Sequence, residues 1–311
     1  MKKTSAAAVT SLVAAVLALV PVGVVLGIVA LFRIPRRDQR GKRLAVVALS
    51  VCAGWTLVAM VAVIGAAAYV GTRHGLITAM RTGVCYNEPD NATGQVDVVG
   101  CAGQHDGQIV ARPQLDGGHG GYPGDGATMR RSVVDCARAV AAAVPDPGAL
   151  SPDVVFYAYP PTRDDWGHGI RDSLCVLADA TGQPWSGDAR SLSGYTSAQL
   201  ALLRPTSESV LLHRKIAALP PEKWQAGVAL AEELVTVDGT EAAFLDRVTT
   251  GGMAVRDSAA ALASALREEI PAAQQLASAS DAGTWSDAER GFTSGWGPWP
   301  SYQDLHHAIG L

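Results

Sequence analysis

His105 and Asp106 stand side by side in the run Cys101-Ala-Gly-Gln-His-Asp106. A carboxylate beside an imidazole can tune its protonation or join a metal site, here with His119 or His168. Adjacent strand residues, however, point to opposite faces. If this box enters a strand the two diverge, and the histidine is left to a structural hydrogen bond near a cysteine bridge. Trp166 follows Asp164-Asp165 and precedes Gly167, the pattern of a turn with an anchoring indole, or of an exposed binding anchor. Glu232-Glu233 and Glu268-Glu269 resemble the paired carboxylates of a di-iron bundle. That site also needs Glu-x-x-His motifs, which do not occur, so both pairs read as solvated faces. Gly-x-Ser-x-Gly, His-Glu-x-x-His, phosphate-loop and Ser-x-x-Lys signatures are missing too. No catalytic residue, cofactor or metal is assigned.

Four cysteines, Cys85, Cys101, Cys136 and Cys175, follow residue 76, and a fifth, Cys52, precedes it. An even set of four points to two disulfides in an oxidising compartment. Three pairings are open. Cys85 with Cys101 and Cys136 with Cys175 is favoured, since the first pair brackets a hairpin and the second ties a helix to a strand. These are staples rather than nucleophiles.

The elements that carry them follow from periodicity. Residues 95–100, 106–115, 153–159 and 173–179 read as strands, and 127–144 as a helix bearing Cys136. Residues 116–126 hold six glycines and a proline and read as a loop. After a Gly/Ser-rich linker at 185–194, apolar stripes appear at Trp224, Val228, Ala231 and Val235 and at Val255, Ala259, Leu262, Leu266 and Ile270. An earlier helix is interrupted at Pro205. Turns at Pro220-Pro221, Asp238-Gly239 and Gly251-Gly252 then make a small antiparallel bundle. Trp285, Phe292, Trp296, Trp299 and Tyr302 cap that bundle or form a contact patch.

At the start of the chain, residues 12–32 and 44–70 are apolar enough to cross a bilayer core of about 30 Å. The loop between them carries six positive charges from Arg33 to Arg43, which keeps that loop on the cytoplasmic side. Residues 1–81 hold ten Lys/Arg against Asp38 alone, so the remaining 230 residues hold fifteen against twenty-eight Asp/Glu. Such an acidic part repels phosphate backbones and excludes nucleic acid as its partner.

Two resemblances add to this. Leu26–Leu31 and Arg40–Lys42 resemble a two-helix membrane module of unknown function found in high-GC bacteria. Val84-Cys85-Tyr86-Asn87, Cys101 with Gln104-His105-Asp106, Tyr122-Pro123-Gly124, Cys136, Trp166-Gly-His-Gly169 and Cys175 resemble the septum-formation family of envelope domains over about residues 82–180. Val84 stands where that family has an acidic residue, and the box Gln104-His105-Asp106-Gly107-Gln108 departs from its usual form. The resemblance implies a place in septation or envelope assembly and nothing catalytic.

The expected architecture is a membrane-anchored multidomain chain. It has a two-helix transmembrane hairpin over 1–76, a small disulfide-containing α+β domain over 77–190, and an antiparallel helical bundle over 191–311. The expected localisation is the cell membrane, multi-pass with two spans, with both termini and the folded domains extracytoplasmic. Expected partners are the lipid bilayer and division or envelope proteins or cell-wall polymer. The expected function is a non-enzymatic role in septum formation or envelope assembly, with an envelope ligand or stress sensor as the alternative. A metal-assisted envelope enzyme using His105 and Asp106 is the second alternative.

Overall fold

The structure, a computed structural model, describes residues 74–89, 95–115, 121–293 and 297–311, with Gly54 and Val58 besides. Its strands are β1 (His74–Leu76), β2 (Cys85–Asn87), β3 (Gln95–Val99), β4 (Gln104–His105), β5 (Gly107–Ala111), β6 (Val154–Tyr159), β7 (Leu174–Asp179) and β8 (Trp185–Ser186). Six of them form one antiparallel sheet in the order β1-β3-β2-β5-β7-β6, and β4 pairs with β8.

Alternation along the central strands sends neighbouring side chains to opposite faces. Val110, Cys175 and Leu177 enter the main core, whereas Ile109, Leu174 and Val176 enter a smaller one with Tyr86 and Val96. Helix α1 (Asp125–Ala143) covers the main-core face through Val133, Cys136, Ala137 and Val140. Ile77, Met80 and Val84 cover the other. Buried on both faces, β6 and β7 read as continuous apolar runs rather than alternating ones.

After the short α2 (Arg163–Gly167) and α3 (Ser197–Leu203) come α4 (Ser207–Ala217), α5 (Trp224–Leu245), α6 (Met253–Ala277), α7 (Ala282–Thr293) and α8 (Trp299–Ala308). Helices α5 and α6 pack along each other. Leu212 of α4, Leu230 and Leu234 of α5, Leu276 of α6 and Trp285 of α7 share one apolar cluster with Val110, Phe156 and Leu177 of the sheet. Residues 74–311 accordingly make one compact unit.

Three sequence expectations change. The first concerns the membrane. The structure is an α+β fold with two disulfides, and among the described residues no helix is long and apolar enough to cross a membrane. The two longest, α5 and α6, carry Asp238 and Glu241, and Arg267, Glu268 and Glu269, charges that are costly in hydrocarbon. The segments 12–32 and 44–70 lie outside the described residues apart from Gly54 and Val58. The two-helix transmembrane hairpin, and the multi-pass membrane localisation drawn from it, are corrected accordingly.

The second change is at Asp238-Gly239, expected as a turn, which lies inside α5. A turn-forming pair is a local preference of about 1 kcal/mol, and packing against α6 overrides it. The third is at 185–194, expected as a Gly/Ser-rich linker. The amide of Gln108, buried in the sheet, needs partners: its Nε2 donates to Asp188 Oδ1 at 2.5 Å and its Oε1 accepts from Ala189 N at 3.0 Å. Together with β8, this fastens the segment to the sheet.

Candidate functional site

The cysteines pair as Cys85–Cys101, with 5.2 Å between Cα atoms, and Cys136–Cys175, with 5.5 Å. The first bridges the end of the β2–β3 ladder, where Cys85 faces Val99. The second ties α1 to β7 inside the main core.

His105 lies in β4, fully buried, with Nδ1 3.0 Å from the Gly103 carbonyl and its ring 4.3 Å from that of Trp185. Asp106 turns elsewhere: its Oδ2 accepts from Glu88 N at 2.7 Å. Trp166 is buried under the Arg171 guanidinium, 3.9 Å from its ring centre, with Tyr122 at its edge. His168 bonds the Asp164 carbonyl at 2.7 Å, and His119 lies outside the described residues. The structure therefore does not bring His105, Asp106 and Trp166 to one site. Among the described residues no group of three metal-ligating side chains is gathered.

What it does build is a cavity of about 440 Å³ between β6, α4, α6, α7 and α8. Val155, Val210, Ala217 and Leu262 give it apolar walls, and Trp299 and Tyr302 close one side with stacked rings 5.7 Å apart. Its ionisable residues are Asp153, His213, Arg214, Glu269 and Glu289. At its inner end His213 Nδ1 stands 2.5 Å from Glu269 Oε1, and the imidazole packs 4.6 Å from the Phe292 ring. Glu269 Oε2 has no hydrogen-bond partner among the described residues, although Glu269 is only 7% exposed. Gly297 adopts φ +44, and a Cβ there would come within 2.9 Å of Oε1, so the close approach of this backbone to the pair requires glycine.

Arg214 is nearly buried and three of its five N–H groups are engaged with the wall. They donate to the carbonyls of Pro147 at 3.0 Å, Ser151 at 3.3 Å and Leu150 at 3.5 Å, and its guanidinium lies 4.8 Å from the Trp299 ring centre. Burial lowers its pKa to about 10, against the opposing pull of Tyr302, Asp146 and Asp153, and it stays charged at neutral pH.

Two more acids, Glu241 and Asp238, lie behind this wall. Glu241 of α5 accepts from Ser209 N at 3.2 Å and sits 2.6 Å from Ser209 Oγ. Burial pushes its pKa up to about 8, despite the lowering effect of those bonds. Asp238 is fully enclosed with neither oxygen partnered among the described residues. Burial, then Glu269 and Glu241, push it up to about 9. Both carboxyls are predominantly neutral at pH 7, which is how a protein interior avoids the cost of an uncompensated charge.

Ser209, His213 and Glu269 together have the residue types of a nucleophile, base and orienting acid. The Ser209 hydroxyl is held by Glu241 instead of by His213. Glu269, expected on a solvated face, is instead buried. It falls on the stripe Leu262, Leu266, Glu269, Ala273 and Leu276, every member of which is buried. Asp238 and Glu241 fall likewise between Leu234 and Leu245. A carboxylate in phase with an apolar stripe was the available sequence signal. His213 and Arg214 carried none.

No known protein family, curated protein or solved structure matches the chain.

Proposed function

We propose that the protein is a non-enzymatic binding protein that takes a small ligand in the cleft between β6, α4, α6, α7 and α8. The observation that carries this is the cavity itself: its volume of about 440 Å³ falls in the range of small-molecule sites. Such sites combine apolar walls with a few converging polar groups. Capture of the Ser209 hydroxyl by Glu241 supports binding over acyl transfer. A thermal-shift screen of amines, carboxylates and neutral compounds tests the reading, with Ala217→Trp as the variant that fills the cleft mouth. Compounds that stabilise the wild type and not Ala217→Trp are the expected result. A screen in which every hit stabilises both proteins equally overturns it.

The process is proposed from the sequence resemblance over about 82–180, namely septum formation or envelope assembly through protein or cell-wall partners. The two disulfides fit an oxidising compartment, and a cleft favours sensing of an envelope ligand as the form of that role. A fluorescent fusion is expected to concentrate at division septa in the native host. A uniform signal, with normal division after deletion, removes the septation role.

A further inference from the structure

The polar groups of the cleft are unequal in sign. Three carboxylates, Asp153, Glu269 and Glu289, line it with one permanent cation, Arg214. Three of the five N–H groups of that cation are turned onto the carbonyls of Pro147, Leu150 and Ser151, which leaves fewer of them for an anion. Asp153 also lies near enough to favour its charge. Whether His213 is protonated or neutral, the cleft is left without surplus positive charge.

Glu269 carries the sharper signal. One oxygen is held by His213 at 2.5 Å, and the other has no donor among the described residues. A buried carboxylate oxygen without its hydrogen bond is costly, and an N–H donor brought to Glu269 is the kind of group that offsets that cost. Around it, Val155, Val210, Ala217 and Leu262 are apolar and suit a hydrocarbon body.

Resting on the reading of this cleft as a ligand site, we propose that its ligand class is a compact amphiphilic organic cation. Its ammonium group pairs with Glu269, and its apolar body lies along α4 and α6. Glu289 of α7, partly exposed at the same cavity, adds attraction at entry. Charge-assisted hydrogen bonds of this kind are about twice as strong as neutral ones.

Titration calorimetry on the full chain with three near-isosteric probes tests the assignment: phenethylamine, 2-phenylethanol and 3-phenylpropanoate. Phenethylamine is expected to bind at least about tenfold more tightly than the alcohol, and the carboxylate to bind weakest. Glu269→Gln is expected to weaken the amine about tenfold and leave the alcohol unchanged. Glu289→Gln, at a partly exposed position, is expected to weaken the amine about twofold to threefold at low salt. This second variant keeps the test decisive if Glu269→Gln fails to fold by circular dichroism.

Tighter binding of 3-phenylpropanoate overturns the proposal, as does amine binding untouched by either variant. Equal binding of all three probes, abolished by Ala217→Trp, overturns the charge selectivity and leaves the cleft reading standing. Binding that survives Ala217→Trp, or no binding of any probe, overturns the assignment of this ligand class to the cleft.

Discussion

His306 Nε2 stands 2.9 Å from Asp146 Oδ1, bringing α8 against the turn that follows α1. The approach is an ion-pair distance without an aligned hydrogen bond, since Nε2 has no such partner among the described residues. Asp146 is 4% exposed and also accepts from Tyr195 Oη at 2.9 Å and Ala149 N at 3.2 Å. Burial alone would raise its pKa; His306, Tyr195 and Ala149 outweigh it and hold the carboxyl below its usual value. A depressed folded pKa contributes stability that is present above the unfolded value, near 4, and lost as pH falls through the folded one. Asp146→Asn is expected to lower stability at pH 7 by about 1–3 kcal/mol and to flatten the acid limb. Urea midpoints at pH 3, 5 and 7 measure both.

Asp238 and Glu241 act in the opposite direction. Their folded pKa values, about 9 and about 8, lie above the unfolded values near 4, so the folded state holds the protons more tightly. Their burden is absent below pH 4, grows as pH rises, and levels off above the folded pKa values. Stability should therefore decline between pH 5 and pH 9. Asp238→Asn keeps the shape and cannot ionise, so it is expected to gain stability relative to the wild type between pH 5 and pH 9, by up to about 1.4 kcal/mol per pH unit. Urea titrations at those two pH values decide it; a wild-type midpoint that rises from pH 5 to pH 9 contradicts the assignment.

Much of the sheet layer was legible in the sequence because its signals are local. The strands at 95–99, 154–159 and 174–179 and the helix at 125–143 declare themselves by period, and of the three cysteine pairings open in the sequence the structure has the favoured one. The divergence of His105 and Asp106 likewise follows from strand geometry. The cleft was not legible, because Asp153, His213, Glu269, Glu289 and Trp299 come from segments spread over nearly 150 residues. Their meeting depends on how α4, α6, α7 and α8 pack. Glu269 is hidden in the sequence for a narrower reason: Glu268-Glu269 reads as a single acidic pair. Only its first member is out of phase with the Leu262–Leu266–Ala273 stripe.

The two disulfides should differ in how readily they open. Cys136 and Cys175 are both fully buried in the main core, whereas Cys101 is only half-buried at the end of β3. A reductant reaches a buried sulfur only through opening of the surrounding core. Mild dithiothreitol under native conditions is expected to yield alkylated Cys85 and Cys101 first, with Cys136 and Cys175 labelled only in denaturant. Mass spectrometry of the alkylated peptides reads the order. On the chain-entropy model, removing the 39-residue link by a Cys136→Ala/Cys175→Ala change costs about 4 kcal/mol, and removing the 16-residue link about 3.

Gly227 of α5 passes against Trp285 of α7, and a Cβ added at Gly227 would come within 2.3 Å of the indole Cη2 and 2.5 Å of Cζ2. In an exposed helix Gly→Ala is favourable by about 1 kcal/mol, because alanine loses less backbone entropy. Here that gain is opposed by overlap with a ring that is fully buried among Leu230, Phe292 and Leu276 and has little room to retreat. Overpacking of a dense core costs about 1–3 kcal/mol, so Gly227→Ala is expected to destabilise despite its better propensity. Trp285→Phe removes the clashing benzo ring and is destabilising alone through the void it leaves. Combined with Gly227→Ala it should recover part of the loss, giving a coupling of about 1 kcal/mol or more in a double-mutant cycle. Additive losses in guanidinium unfolding would mean that α7 shifts away from α5 and the two residues are not in contact.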